Sequence, residues 1–377
     1  MARFSTAFIS IKCLCLAVLI LASPINRASE LQPRYDQAIK SLYEQLGLVG
    51  IVSLLSIDGD IQAQASYGST SVLFGEPLTA DMSFHIGSIT KSFTATLMAK
   101  LVEQGQLNWQ DTLGELFADD NILPAWKAVT VAQLLQHRGG VRANLNVIDM
   151  LRYSYYSGDA AATREHKALA YLKEQAPEYP PGSTMLYSNL GYMIASVIIQ
   201  RTSGLSWEQA MQKHVFNALQ LNSAGFGPPK STKTQAQPLG HNRNMGIAFP
   251  DRNKVPSIIA AAGDIHMNIA DLWRYGEAHR LGADGKSALL KRQSFQTLHQ
   301  PSADHYAMGW VLEDTQDRPF YWHNGSDTRW YALLLIVPKI GASYIFVSND
   351  GLLMRKQAAL WEIINRFNRQ LAEAHNQ

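Results

Sequence analysis

Apolar residues recur along the chain with different periods, and each period predicts a different kind of structure. Between Arg34 and Leu48, the residues Tyr35, Ala38, Ile39, Leu42 and Leu46 fall on one side of a helical wheel, which predicts an amphipathic helix. Gly50 to Ile57 is apolar and rich in β-branched residues, Asp58-Gly59-Asp60 supplies turn chemistry, and Ile61 to Tyr67 alternates. That pattern predicts a β-hairpin. Ser92 to Glu103 returns to the helical period, with Phe93, Leu97 and Leu101 on one face. From Asn108 to Gln300 helical patterns broken by Pro and Gly dominate, at Val131 to His137, Ala160 to Gln175, Gly191 to Arg201 and Trp207 to Leu219, and no strand series is expected there. Strand patterns resume at Met308 to Glu313, Tyr331 to Val337 and Ala342 to Val347, the last two joined by a turn at Pro338 to Gly341. A final helix is expected over Leu352 to Leu371.

Strands at both ends and helices between them imply one sheet built from the two ends of the chain. The expected class is α+β: a mainly antiparallel sheet flanked by helices, from residues 29–107 and 301–377, with an inserted all-α domain at 108–300 and a cleft between the two. Residues 1–28 read differently. Arg3 and Lys12 precede the apolar run Cys13 to Ala22, followed by Pro24, which is the grammar of an export signal cleaved near Ala22, Ser23 or Ala28. The run is about half the length of a spanning helix, so no stable membrane span is expected after cleavage, and a periplasmic or secreted location follows. Both cysteines, Cys13 and Cys15, fall inside this segment. The remaining chain therefore offers no disulfide, thiolate metal site or cysteine nucleophile.

Composition adds exclusions. Apolar residues at 46% and charged residues at 17% suit a folded chain, and 33 basic against 31 acidic residues give no footprint for nucleic acid. The histidines show no metal-ligand spacing, so neither metal nor cofactor is expected. H-E-x-x-H and G-x-S-x-G are absent from the sequence.

Three short motifs carry chemistry. Ser88 and Lys91 lie three apart where a loop enters a helix, so one turn brings hydroxyl and amine together. A serine hydroxyl is a poor nucleophile without a base, and a lysine serves as one when burial and neighbouring cations depress its pKa. The helix start adds N–H groups and a positive dipole end. Tyr187 and Asn189 place a phenol and a carboxamide two apart before an apolar helix, suited to shuttling a proton and holding a substrate carbonyl. Trp322-His323-Asn324-Gly325-Ser326 lies between two strands, where Gly325 allows close approach of a substrate and the next N–H can complete an oxyanion hole.

In order and spacing these motifs resemble the serine penicillin-recognising superfamily, particularly its class C β-lactamase and D-alanyl-D-alanine carboxypeptidase branch. Val131 to Gly140 resembles that family's "LLTHTSG" segment, Ala261 to Leu272 its glycine-rich segment, and Tyr306 to Trp310 its "yGlGW". The resemblance implies a β-lactamase/transpeptidase-like fold and an exported serine hydrolase working through an acyl-enzyme. It makes Ser88 the nucleophile, Lys91 its base or relay and Tyr187 the proton donor. Asn189, His323, Asn324 and Gly325 would bind substrate, and the backbone N–H groups of Ser88 and Ser326 would form the oxyanion hole. His323 stands where the lactamases carry lysine. Its titration near neutrality is expected to set affinity for an anionic substrate group. Peptidoglycan-derived D-amino-acid peptides, β-lactams and simple esters are the expected donors, in that order, and the alternative is a catalytically silent penicillin- or peptidoglycan-binding or sensor protein of the same fold. His137 is expected to be a structural hydrogen-bonding residue, and Trp310, Trp322 and Trp330 core residues.

Overall fold

The computed structural model describes residues 24–375 except 156–157, 303 and 316–317. Residues 1–23 of the expected signal, with both cysteines, lie outside the described residues, and residues 24–28 begin the helix Pro24–Leu46. The strands are β1 (Gly50–Ile57), β2 (Asp60–Gly68), β3 (Phe84–His85), β4 (Gly225–Phe226), β5 (Gly240–Asn244), β6 (Ile247–Asp251), β7 (Ile265–Met267), β8 (Val311–Thr315), β9 (Arg318–Ser326), β10 (Tyr331–Val337) and β11 (Ala342–Ser348). Six of them form an antiparallel sheet in the order β2-β1-β11-β10-β9-β8, so the two ends of the chain meet at the β1–β11 pair.

Alternation along the central strands divides the core in two. Ile51, Leu55, Leu333, Leu335, Tyr344 and Phe346 face the N-terminal helix Pro24–Leu46 and the C-terminal helix Ala358–His375. Val52, Leu54, Leu334, Ile336, Ile345 and Val347 belong to the larger core that includes the helix Thr90–Glu103. Because both faces are covered, β10 and β11 are buried along their whole length. Truncating such a residue, Leu334→Ala for example, costs about 2–5 kcal/mol.

Several boundaries differ from the sequence expectation. Strands do occur within 108–300. β5 and β6 pair through a two-residue turn at Met245 and Gly246, both with positive φ, and polar residues along β5 hide the alternation. β3, β7 and β4 form a second small sheet. The helix Ile269–Gly282 lies within 108–300 yet packs on β10 and β11, burying Leu272 and Tyr275, so this part of the segment belongs with the sheet. The strand expected from Met308 starts only at Val311, because Gly309 is left-handed (φ +77°) and a Cβ there would meet the Ser92 nitrogen at 2.5 Å. The third motif lies on β9 itself and not between strands, and the last helix is broken into Leu352–Arg355 and Ala358–His375.

Candidate active site

Ser88 lies in the 3-10 turn Gly87–Ile89, directly before the helix Thr90–Glu103, and Lys91 occupies that helix's first turn. The Lys91 amine is fully buried, with Ser88 Oγ at 3.0 Å, Asn189 Oδ1 at 2.7 Å and the Ala262 carbonyl at 2.8 Å. Burial holds its pKa well below the ordinary lysine value. In the neutral form that burial favours, the amine has two hydrogens and one lone pair. The Asn189 and Ala262 oxygens can only accept, so they take the hydrogens and the lone pair faces the Ser88 hydroxyl, the one partner able to donate.

Tyr187 and Asn189 arrive on the N-terminus of the helix Asn189–Ser203, which the Ser188 side chain caps by accepting from Gly191 N–H at 2.9 Å. His137, left-handed at φ +59°, secures this loop: its Nδ1 accepts from Ser188 N–H (3.1 Å) and its carbonyl from Leu186 N–H (2.8 Å). Tyr187 shares a hydrogen bond with Ser88, and burial raises the phenol's pKa against that bond. Its ring centre lies 4.6 Å from the Lys91 amine, and the residue as a whole remains 38% exposed. Asn189 Nδ2 donates to Asn144 Oδ1 at 2.6 Å.

The third motif meets the Ser88 turn backbone to backbone. A Cβ on Gly325 would lie 2.0 Å from the Ile86 oxygen and 2.5 Å from the Ser88 nitrogen, and one on Gly87, already at φ +52°, would lie 2.5 Å from the Ser326 nitrogen. Gly325 thus makes room for the protein's own backbone, whereas the sequence suggested room for substrate. The same contact brings the Ser88 and Ser326 nitrogens into one small region.

Two expectations for this motif need correction. Strand alternation turns Asn324 to the far face of the sheet, where its Nδ2 donates to Gln357 Oε1 at 2.9 Å, so its side chain does not face the cleft. His323 is 3% exposed and has both ring nitrogens engaged, Nδ1 with the Asn324 carbonyl and Nε2 with Tyr306 OH at 3.1 Å. Nδ1 therefore donates and Nε2 accepts from the phenol. Burial, and then Lys91, push its pKa down to about 3 against the Asn324 hydrogen bond, so it is neutral near pH 7 and reads no substrate charge by titration.

The residues behind Ser88 thus form a cage in which burial works against charge: Lys91, Tyr187, Tyr192, His137, Tyr306 and His323, with the His137 pKa also held well below its ordinary value, chiefly by burial. In front lies a different group that the sequence reading missed. Buried His85 sits between Asp264 (3.4 Å) and Asp327 (4.0 Å), and Arg329 pairs with Asp327 (2.5 Å) and Asp251 (3.7 Å). Burial pushes Asp327 up, but His85 and Arg329 together outweigh it and leave its pKa below the usual range; Asp264 is raised by burial. The available signal was a charge inside apolar or glycine-rich segments, as at His85 and Asp264. A cavity of about 410 Å³ opens at Ser88 between these charges and the helix Val147–Ser154. Trp310 and Trp330 are core residues, as expected, and Trp322 packs partly buried on the helix side of the sheet.

Comparison with known proteins agrees with this architecture. The family model described as Beta-lactamase matches residues 35–366. Penicillin-binding protein 4 of Amycolatopsis lactamdurans is 26% identical, over 85% of this chain and 84% of its own length. A β-lactamase of Escherichia coli strain K12 is 24% identical, over 83% of this chain and 79% of its own. The D-amino acid amidase of Ochrobactrum anthropi SV3, solved with L-phenylalanine amide, superposes with a TM-score of 0.72 at 20% identity, over 92% of this chain and all of its own, which is a likeness of fold.

Proposed function

The chain belongs to the β-lactamase family of serine hydrolases, and from that basis we propose that it acts through an acyl-enzyme on Ser88. Lys91, neutral by burial, takes the hydroxyl proton as Ser88 Oγ attacks the donor carbonyl, and the N–H groups of Ser88 and Ser326 hold the developing oxyanion. Tyr187 gives a proton to the leaving group as the bond to it breaks, and Lys91 returns its proton to Tyr187. Water then attacks the acyl ester, losing a proton to the same Lys91–Tyr187 pair, and Ser88 leaves with one. Asn189 holds the donor's acyl side. The observation that carries this reading is the buried Lys91 amine 3.0 Å from Ser88 Oγ with its other two partners both acceptors.

The neutral His323 orders the substrates. Amide and ester donors without a carboxylate beside the scissile bond come first, ahead of D-amino-acid peptides with a free terminal carboxylate and β-lactams, the classes that the relatives' names bracket. Intact-mass measurement after exposure to a short-chain ester, a D-Ala-D-Ala peptide and a penicillin tests it: a transient acyl adduct is expected with the ester, absent in Ser88→Ala. No adduct and no turnover with any donor overturns the reading. We further propose export to the periplasm or medium, from the sequence of residues 1–28. Among the described residues no helix is long and apolar enough to cross a membrane. N-terminal sequencing that starts between residues 23 and 29 is the expected result.

A further inference from the structure

The cavity at Ser88 has an apolar side with no part in the chemistry above. Met150, Leu151 and Tyr155, on and just after the helix Val147–Ser154, line it together with Val255, Pro256 and Ile259. Tyr155 OH donates to Asn253 Oδ1 at 3.2 Å, linking the helix end to the segment that carries Val255 and Pro256. Scattered exposed apolar side chains are ordinary on protein surfaces. Here Val147, Ile148, Leu151 and Tyr155 are 59–79% exposed within one short stretch beside the cavity. Tyr187 and His323 are not among the lining residues. A leaving group that takes its proton from Tyr187 therefore departs on their side, and the cavity is left for the acyl part of the donor.

Resting on the acyl-enzyme reading, we propose that Met150, Leu151, Tyr155, Val255, Pro256 and Ile259 form an acyl-side specificity pocket, and that preferred donors carry an apolar group of leucine or phenylalanine size on the acyl part. At about 410 Å³ the cavity falls within the range of small-molecule pockets. Covering its apolar wall strengthens binding by about fourfold per methylene at full burial.

The test measures kcat/KM for 4-nitrophenyl acetate, butanoate and hexanoate, each of which acylates Ser88 and releases nitrophenol before water frees the acid. A second series of acetates places the same alkyl chains on the leaving alcohol. The full chain is compared with Leu151→Asp and Tyr155→Ser, both at exposed positions, with thermal melts to verify folding. The expected result is a rise of about tenfold for each added pair of methylenes on the acyl side, a much smaller rise on the alcohol side, and a clearly flatter acyl series in both variants. A flat or falling acyl series, an alcohol series that rises equally, or an unchanged slope in both variants overturns the pocket while acetate still acylates Ser88. Failure of every ester to acylate Ser88 overturns the acyl-enzyme reading, and the pocket with it.

Discussion

Behind Ser88, Lys91, Tyr192, His137, Tyr306 and His323 are buried, with Tyr187 keeping an exposed side, and burial lowers the pKa of the amine and of both imidazoles. In front, His85, Asp264 and Arg329 are buried and Asp327 and Asp251 partly so, and here the groups are arranged as ion pairs around the Arg329 guanidinium and His85. The difference lies in what each side chain can do when water is removed. An amine or imidazole sheds its proton, and a phenol keeps one, at a modest free-energy cost. A guanidinium cannot become neutral, so it holds carboxylates beside it in their ionised form. Burial therefore favours the proposed base on one side of Ser88 and leaves an ionic support on the other.

The largest expected effect comes from restoring charge to the rear. Ser88→Ala should abolish turnover. Lys91→Arg places a guanidinium that cannot accept the Ser88 proton, so kcat/KM should fall by at least about 10³-fold, and Tyr187→Phe should cost about 10²-fold. A Lys91→Arg enzyme within tenfold of wild type would mean that the rear tolerates a permanent cation.

The front should answer in stability. Arg329→Met leaves Asp327 and Asp251 without their shared cation, and urea unfolding should show a loss of about 3 kcal/mol. A loss below about 1 kcal/mol would put the front with ordinary surface ion pairs.

Smaller is the acid response of the cage. His323 has a folded pKa of about 3 against roughly 6.5 unfolded, so between those values the unfolded chain binds the extra proton. The stability of the neutral folded form is complete above about pH 6.5 and declines as pH falls toward 3. His323→Gln removes one such group and should reduce the slope of unfolding free energy between pH 6 and 4 by up to about 1.4 kcal/mol per pH unit. An unchanged slope would mean that His323 is protonated in the folded enzyme.

The smallest expected effect is a null one. The ratio of kcat/KM for carboxylate-bearing donors to that for neutral esters should stay within about twofold from pH 5 to 8, because His323 does not titrate there. A steep fall in the ratio through pH 6–7 would restore an imidazolium to the third motif.

The sequence by itself determined the periodic parts of this protein and the contents of its local motifs. Fully apolar strands such as Tyr331–Val337 could be stable only with both faces covered, and a serine and lysine three apart had to meet on one helical turn. Tertiary structure decided whatever depended on a partner distant in the chain. Period-two alternation says that His323 and Asn324 point to opposite faces, but only the sheet's position between two cores reveals which face holds the cleft. The lowered pKa values of Lys91 and His323 were equally non-local: the shells that remove their water come from segments about a hundred residues or more apart, and a pKa responds to that enclosure rather than to the neighbouring letters.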